Sequence, residues 1–150
     1  MRPGVRIGVD VGSVRVGVAR TDDSALLAVP VETVLRGEGD LARIAAIVRE
    51  FAAVEVVVGL PVGLDGREGR AARAARDLAV ALRPQVDPVP IRLVDERMST
   101  VTASQQLRQA GRSARSSRPV VDQAAAVVIL QYAVDTERAT GRAPGAPLEG

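Results

Sequence analysis

The chain has 150 residues, 47% hydrophobic and 25% charged, with a formal net charge of +2, which suits one globular domain with a proper core. It has no cysteine and no histidine, and all 20 of its basic residues are arginine. Disulfide frameworks, thiolate metal sites, histidine acid–base catalysis, the P-loop lysine and Schiff-base chemistry are therefore excluded.

Val5–Val11 and Val14–Ala19 are rich in Val and Ile and flank Gly12 and Ser13, the pattern of a β-hairpin. Asp10 interrupts the first of these apolar runs. A carboxylate there is paired, protonated or holding a cation, because an isolated buried charge is too costly; the ordinary alternative is a solvent-facing Asp opening a turn. Gly8, Gly12 and Gly17 clear side chains from around it, as happens where a phosphate or another backbone comes close. Leu26–Leu35 reads as a third strand, with Pro30 confining it toward an edge. Asp40 is the expected N-cap of a helix from about Leu41 to Ala53, whose apolar residues recur at helical spacing. The apolar run Val54–Leu60 (VEVVVGL) predicts a central parallel strand, ended by Pro61.

A glycine-rich loop, Val62–Gly69, leads to a second helix from about Arg67 to Leu82. Arg67, Arg70, Arg73 and Arg76 are three apart, which drifts around a helix, and they read mostly as solvated surface. Pro84, Pro88 and Pro90 mark the connection to a last strand, Ile91–Val94. It runs directly into Asp95-Glu96-Arg97-Met98-Ser99-Thr100, where Ser99 or Thr100 would cap a helix over about Val101–Ala110. The segment 111–118 is polar and basic. Pro119 suits the first turn of a long final helix that fades near Arg138. Residues 140–150 are expected to be a disordered tail, leaving 1–139 as the domain. The predicted fold is α/β: a mixed five-stranded sheet, an antiparallel meander plus two parallel strands, with helices on both faces.

Charge is unevenly spread. Residues 61–118 carry 11 Arg against 6 acids, whereas residues 1–60 carry 7 Arg against 8 acids. A basic half beside an acid-bearing half suits a polyanionic partner such as nucleic acid. With only Phe51 and Tyr132 as aromatics, such a partner would be held by backbone and shape more than by stacked bases. No run approaches a membrane span and no signal peptide opens the chain, so a cytoplasmic location is expected.

Three acidic spots stand where propensity does not put them: Asp10 within a strand, Asp95 and Glu96 at a strand end, and Asp122 in the opening turn of the last helix. Singly they read as a turn former, a surface pair with Arg97 and a helix-dipole acid. Together, carboxylates converging from two strands and a helix can hold two divalent ions about 3.5–4 Å apart for in-line displacement at phosphorus. Oxygen-only ligands favour Mg²⁺ or Mn²⁺.

Four pieces, Asp10-Val11-Gly12-Ser13 with Gly17, Val58-Gly59-Leu60-Pro61 with Asp65-Gly66, Asp95 to Thr100, and Val121-Asp122 through Leu130, occur in the order and spacing of the RuvX/YqgF family, which the chain resembles from about Arg6 to Val134. Members are described as Holliday-junction resolvases or nucleases that process the precursor of small-subunit ribosomal RNA. The resemblance implies a ribonuclease H-like fold and a metal-dependent endonuclease acting on branched DNA or precursor ribosomal RNA. It implies that Asp10 and Asp122 are catalytic metal ligands, with the middle acid in the pair Asp95-Glu96; Glu96 is favoured for its longer arm. Gly59 and Pro61 would shape the strand end. The Arg-rich loop, with Arg112, Arg115 and Arg118, and Arg97 beside the acids, would bind phosphates. Symmetric junction cleavage would require a homodimer. Two other readings stay open: a non-catalytic nucleic-acid-binding or ribosome-assembly factor on the same scaffold, and a fragment of an actin-like ATPase, whose phosphate hairpin is similar.

Overall fold

The computed structural model describes residues 2–63, 65–96 and 118–148, with the side chains of the last segment described from residue 123 on. The elements run β1 (Arg6–Val11), β2 (Arg15–Thr21), β3 (Ala28–Leu35), α1 (Asp40–Glu50), β4 (Glu55–Leu60), α2 (Arg70–Val86), β5 (Ile91–Asp95), α3 (Arg118–Thr140) and β6 (Ala146–Pro147). They form one sheet of order β3-β2-β1-β4-β5-β6. β1, β2 and β3 make the expected antiparallel meander, and β4 and β5 join by parallel pairing. All six residues of β4, Glu55 included, are buried, as a mostly apolar run in a doubly covered strand requires. Pro30 sits in the edge strand β3, where the register slips between Val18 and Ala19, so its missing N–H costs the ladder little.

On β1, β2, β4 and β5 side chains alternate between the faces. Ile7, Val9, Val16, Val18, Val56, Val58, Ile91 and Leu93 pack with α1 and α2 in the larger core. Ala19, Val57 and Val94 face α3 and meet Ala126, Ile129, Leu130 and Ala133. That second layer is thin because small residues let the helix come close. A Cβ on Gly8 would lie 2.8 Å from Leu130 Cβ and 3.1 Å from the Ala126 carbonyl, so the glycine admits the helix backbone.

Four expectations are corrected. The cap of α1 is Gly39, at φ 88°, a left-handed turn that an Asp would resist; Asp40 is the first helical residue and accepts from the Gly37 N–H at 3.2 Å. α2 continues through Pro84 to Val86. α3 reaches Thr140. The sheet has six strands and not five, because part of the segment 140–150 that was expected to be disordered pairs antiparallel with β5. Arg92 holds it there, donating to the carbonyls of Pro144 (2.6 Å) and Gly145 (2.9 Å). Composition suggested a tail; the arginine that anchors it lies 52 residues away from Pro144 in sequence. The expected helix over 101–110 lies outside the described residues. Among the described residues no helix is long and apolar enough to cross a membrane.

At the end of the sheet where β1 begins, Arg6 and Glu137, both almost fully buried, form an ion pair at 2.8 Å. Arg2 joins them by pairing with Glu55 at 3.0 Å and with Glu137. A buried charge needs such partners. The cluster locks the C-terminal end of α3 to the start of β1, which commits the opening turns of α3 to the opposite end of the sheet.

Candidate active site

β1, β4 and β5 run parallel, so their C-terminal ends gather at one edge, where ligands of such sheets collect. Asp10 is the fifth residue of β1. Alternation places it with Gly8 on the α3 face, half-buried. Directly opposite it on β2 is Gly17, and opposite Gly17 on β3 is Thr33, whose hydroxyl accepts from Gln123 of α3 at 2.9 Å. The glycine leaves room beside the carboxylate.

Glu96 follows directly on β5 and reaches the same face. A Cβ on Gly59 would lie 2.6 Å from Glu96 Oε1 and 2.6 Å from Ile129 Cδ1. Gly59, having no side chain, leaves the space at the strand end that Glu96 and Ile129 fill. Burial pushes the Glu96 carboxyl up from an ordinary 4.5 to about 8. The Asp10 charge, a hydrogen bond with Asp10 and the Asp95 charge push in the same direction. Glu96 thus keeps its proton near neutral pH beside Asp10, since like charges at close range cannot both ionise freely. Between Asp95 and Glu96, it is Glu96 that meets Asp10. Asp95 falls in phase with Ile91 and Leu93, which pack on the opposite face.

Asp122 lies in α3, one turn before Ala126; its side chain lies outside the described residues. Arg97, Arg112 and Arg115 also lie outside them, and Arg118 is the first residue of α3. Among the described residues no three carboxylates gather into a metal site. The two that do meet offer only oxygen donors and repel each other, the donor chemistry that a hard divalent cation relieves. Arg15 shares the α3 face with Asp10 and was not singled out from sequence. The period-2 alternation, carried across the hairpin from Asp10 to Gly17 and on to Arg15, was the signal available.

A family model described as "RuvX: Holliday junction resolvase" matches residues 4–136. Proteins named "Putative pre-16S rRNA nuclease" from a Nocardioides species and from Thermobifida fusca are 61% and 56% identical to the chain. The first alignment covers 99% of this chain and 99% of the relative, the second 100% and 99%. A third so named, from Leifsonia xyli, is 54% identical over 99% of this chain and 97% of its own. Among solved structures, T. thermophilus RuvC in complex with a Holliday junction substrate is similar with a TM-score of 0.64 at 16% identity. That match covers 97% of this chain and 99% of the RuvC chain. At this identity the likeness is one of fold, and it agrees with the expected ribonuclease H-like architecture.

Proposed function

The chain belongs to the RuvX family, and from that premise we propose that it is a nuclease hydrolysing phosphodiester bonds of structured nucleic acid with Mg²⁺ or Mn²⁺, in the cytoplasm. The observation that carries this reading is the meeting of Asp10 and Glu96 at the parallel strand ends, with a glycine on each neighbouring strand beside them. Among the described residues, nothing in the packing calls for two carboxylates in contact. Their repulsion is a cost that a site for cations explains.

Asp10, Glu96 and Asp122 would hold the metal, with Asp95 adding negative charge beside Glu96. When bound, the ion supplies Lewis-acid polarisation of the phosphate and activation of water. The protein's own part is to fix the donors. β1 holds Asp10 rigidly, the space at Gly59 and Ile129 set the approach of Glu96, and α3 carries Asp122. Arg97, Arg112, Arg115 and Arg118 would bind the substrate backbone without reading bases. Names borne by the relatives point to pre-16S ribosomal RNA, and the family description to four-way DNA junctions; both present phosphates to the same surface.

The test offers a four-way DNA junction and a ribosomal RNA precursor to the protein in chelator and after adding Mg²⁺ or Mn²⁺. Cleavage of one of them that depends on the metal is expected. Full cleavage by protein shown to be metal-free would overturn the metal-dependent reading, and no cleavage of either under any metal would favour a non-catalytic binding factor.

A further inference from the structure

At the end of the sheet that carries Asp10 and Glu96, the described arginines divide into two sorts. Arg36 pairs with Asp40 at 3.2 Å, Arg43 takes Glu32 through two hydrogen bonds of 2.8 and 2.6 Å, and Arg76 takes Glu68 at 2.6 and 2.7 Å. Arg15, like the exposed Arg70 and Arg73, has no ion pair or side-chain hydrogen bond with any described residue, but unlike them it is half-buried and lies on the α3 face. Its backbone is pinned, because its carbonyl accepts from the Gly12 N–H at 2.8 Å in the hairpin turn.

Its place is set by register. Asp10 lies opposite Gly17, so Arg15, two residues before Gly17 on the same face, is the diagonal neighbour of Asp10. Such neighbours stand roughly 7–8 Å apart, within reach of a long side chain. Gly17 puts no side chain between them. Leu35, opposite Arg15 on β3, is two-thirds exposed, so this rim of the site is open to a large partner. A phosphodiester approaching the two acids meets negative charge; a guanidinium one diagonal step away offsets it and can grip two phosphate oxygens in one plane.

We propose that Arg15 binds a substrate phosphate beside the Asp10–Glu96 pair and so draws the nucleic-acid backbone onto the acids. The inference rests on the nuclease reading for its substrate. It adds a phosphate contact on β2, separate from the basic segment 112–118.

The experiment compares wild type with Arg15→Gln and Arg15→Lys in the full chain. Melting temperature, affinity for a four-way DNA junction and a ribosomal RNA precursor in chelator over a salt series, and kcat/KM with Mg²⁺ are measured. Arg15→Gln should melt within about 2 °C of wild type, as expected of a side chain without partners. It should lose roughly 0.7–0.9 from the slope of log affinity against log salt, and kcat/KM should fall about 10–100-fold. Arg15→Lys should keep the slope and recover part of the rate. An unchanged slope and rate in Arg15→Gln would overturn the proposal, as would a drop of more than about 5 °C in melting, which would make Arg15 a structural residue. If wild type binds but does not cut, the nuclease reading fails while the salt slope still decides the role of Arg15. Wild type that binds neither nucleic acid removes both.

Discussion

Replacing Asp10 with Asn should stabilise the metal-free protein at alkaline pH while leaving it unchanged in mild acid. The Glu96 carboxyl is raised from 4.5 to about 8, by burial first and by Asp10 next. A carboxyl raised in the folded state contributes stability that is fully present below about 4.5 and is lost as pH rises through about 8. At roughly 1.4 kcal/mol per pH unit, that difference bounds the cost of ionising Glu96 at about 5 kcal/mol. Burial accounts for the largest share, and both acids are partly open to water, so about 1–2 kcal/mol falls to the Asp10 charge. In a chain of this size that corresponds to about 3–6 °C of melting temperature. Melting curves of wild type and Asp10→Asn in chelator at pH 5.5 and pH 9 test it. The curves should coincide at the lower pH and separate at the higher, with the variant above. Saturating Mg²⁺ should then raise wild type by about 2–3 kcal/mol at 100 times its dissociation constant and the variant by less. A wild-type melting temperature that is flat from pH 6 to 9 in chelator, or a variant that is less stable at both pH values, would refute the raised Glu96 carboxyl beside Asp10.

Gly59→Ala puts a methyl group 2.6 Å from both Glu96 Oε1 and Ile129 Cδ1; both are side-chain ends that can move aside, so it should cost at most about 1 kcal/mol in urea unfolding while shifting Glu96 and reducing cleavage beyond what the folded fraction explains. Unaltered activity in a folded Gly59→Ala protein would show that the space at Gly59 does not position Glu96. Glu137→Gln leaves the buried Arg6 without its charged partner and should destabilise by about 3–5 kcal/mol; a loss below about 1 kcal/mol would show that this end of the domain does not lock α3. Changing Arg112, Arg115 and Arg118 to Ala should weaken binding to every sequence and flatten the salt dependence by roughly 0.7–0.9 for each phosphate no longer neutralised.

The fold was legible where pattern and burial agree. Alternating or unbroken Val and Ile runs placed β1 to β5, and helical spacing placed α1, α2 and α3. Asp10 announced itself as a charge inside an apolar run. What escaped was whatever depends on partners far along the chain. The tail paired with β5 because Arg92 binds carbonyls near Gly145, and no local composition encodes that. The Arg6–Glu137 pair joins residues 131 apart. The cap fell on Gly39, whose backbone is left-handed, with Asp40 one residue on as the first helical residue, a one-residue offset that side-chain preference does not encode. At the site, the sequence favoured Glu96 over Asp95 only for its longer arm, whereas strand phase puts the two on opposite faces. Arg15 was overlooked because an arginine in a hairpin is unremarkable until the register sets it diagonal to Asp10.

The most direct test of the central claim is single-turnover cleavage in Mg²⁺ by wild type, Asp10→Asn and Asp122→Asn, with folding and nucleic-acid binding measured on the same samples. Both variants are expected to fold and bind as wild type does and to cut slower by orders of magnitude. Near wild-type cleavage by Asp10→Asn would contradict the assignment of these acids to catalysis.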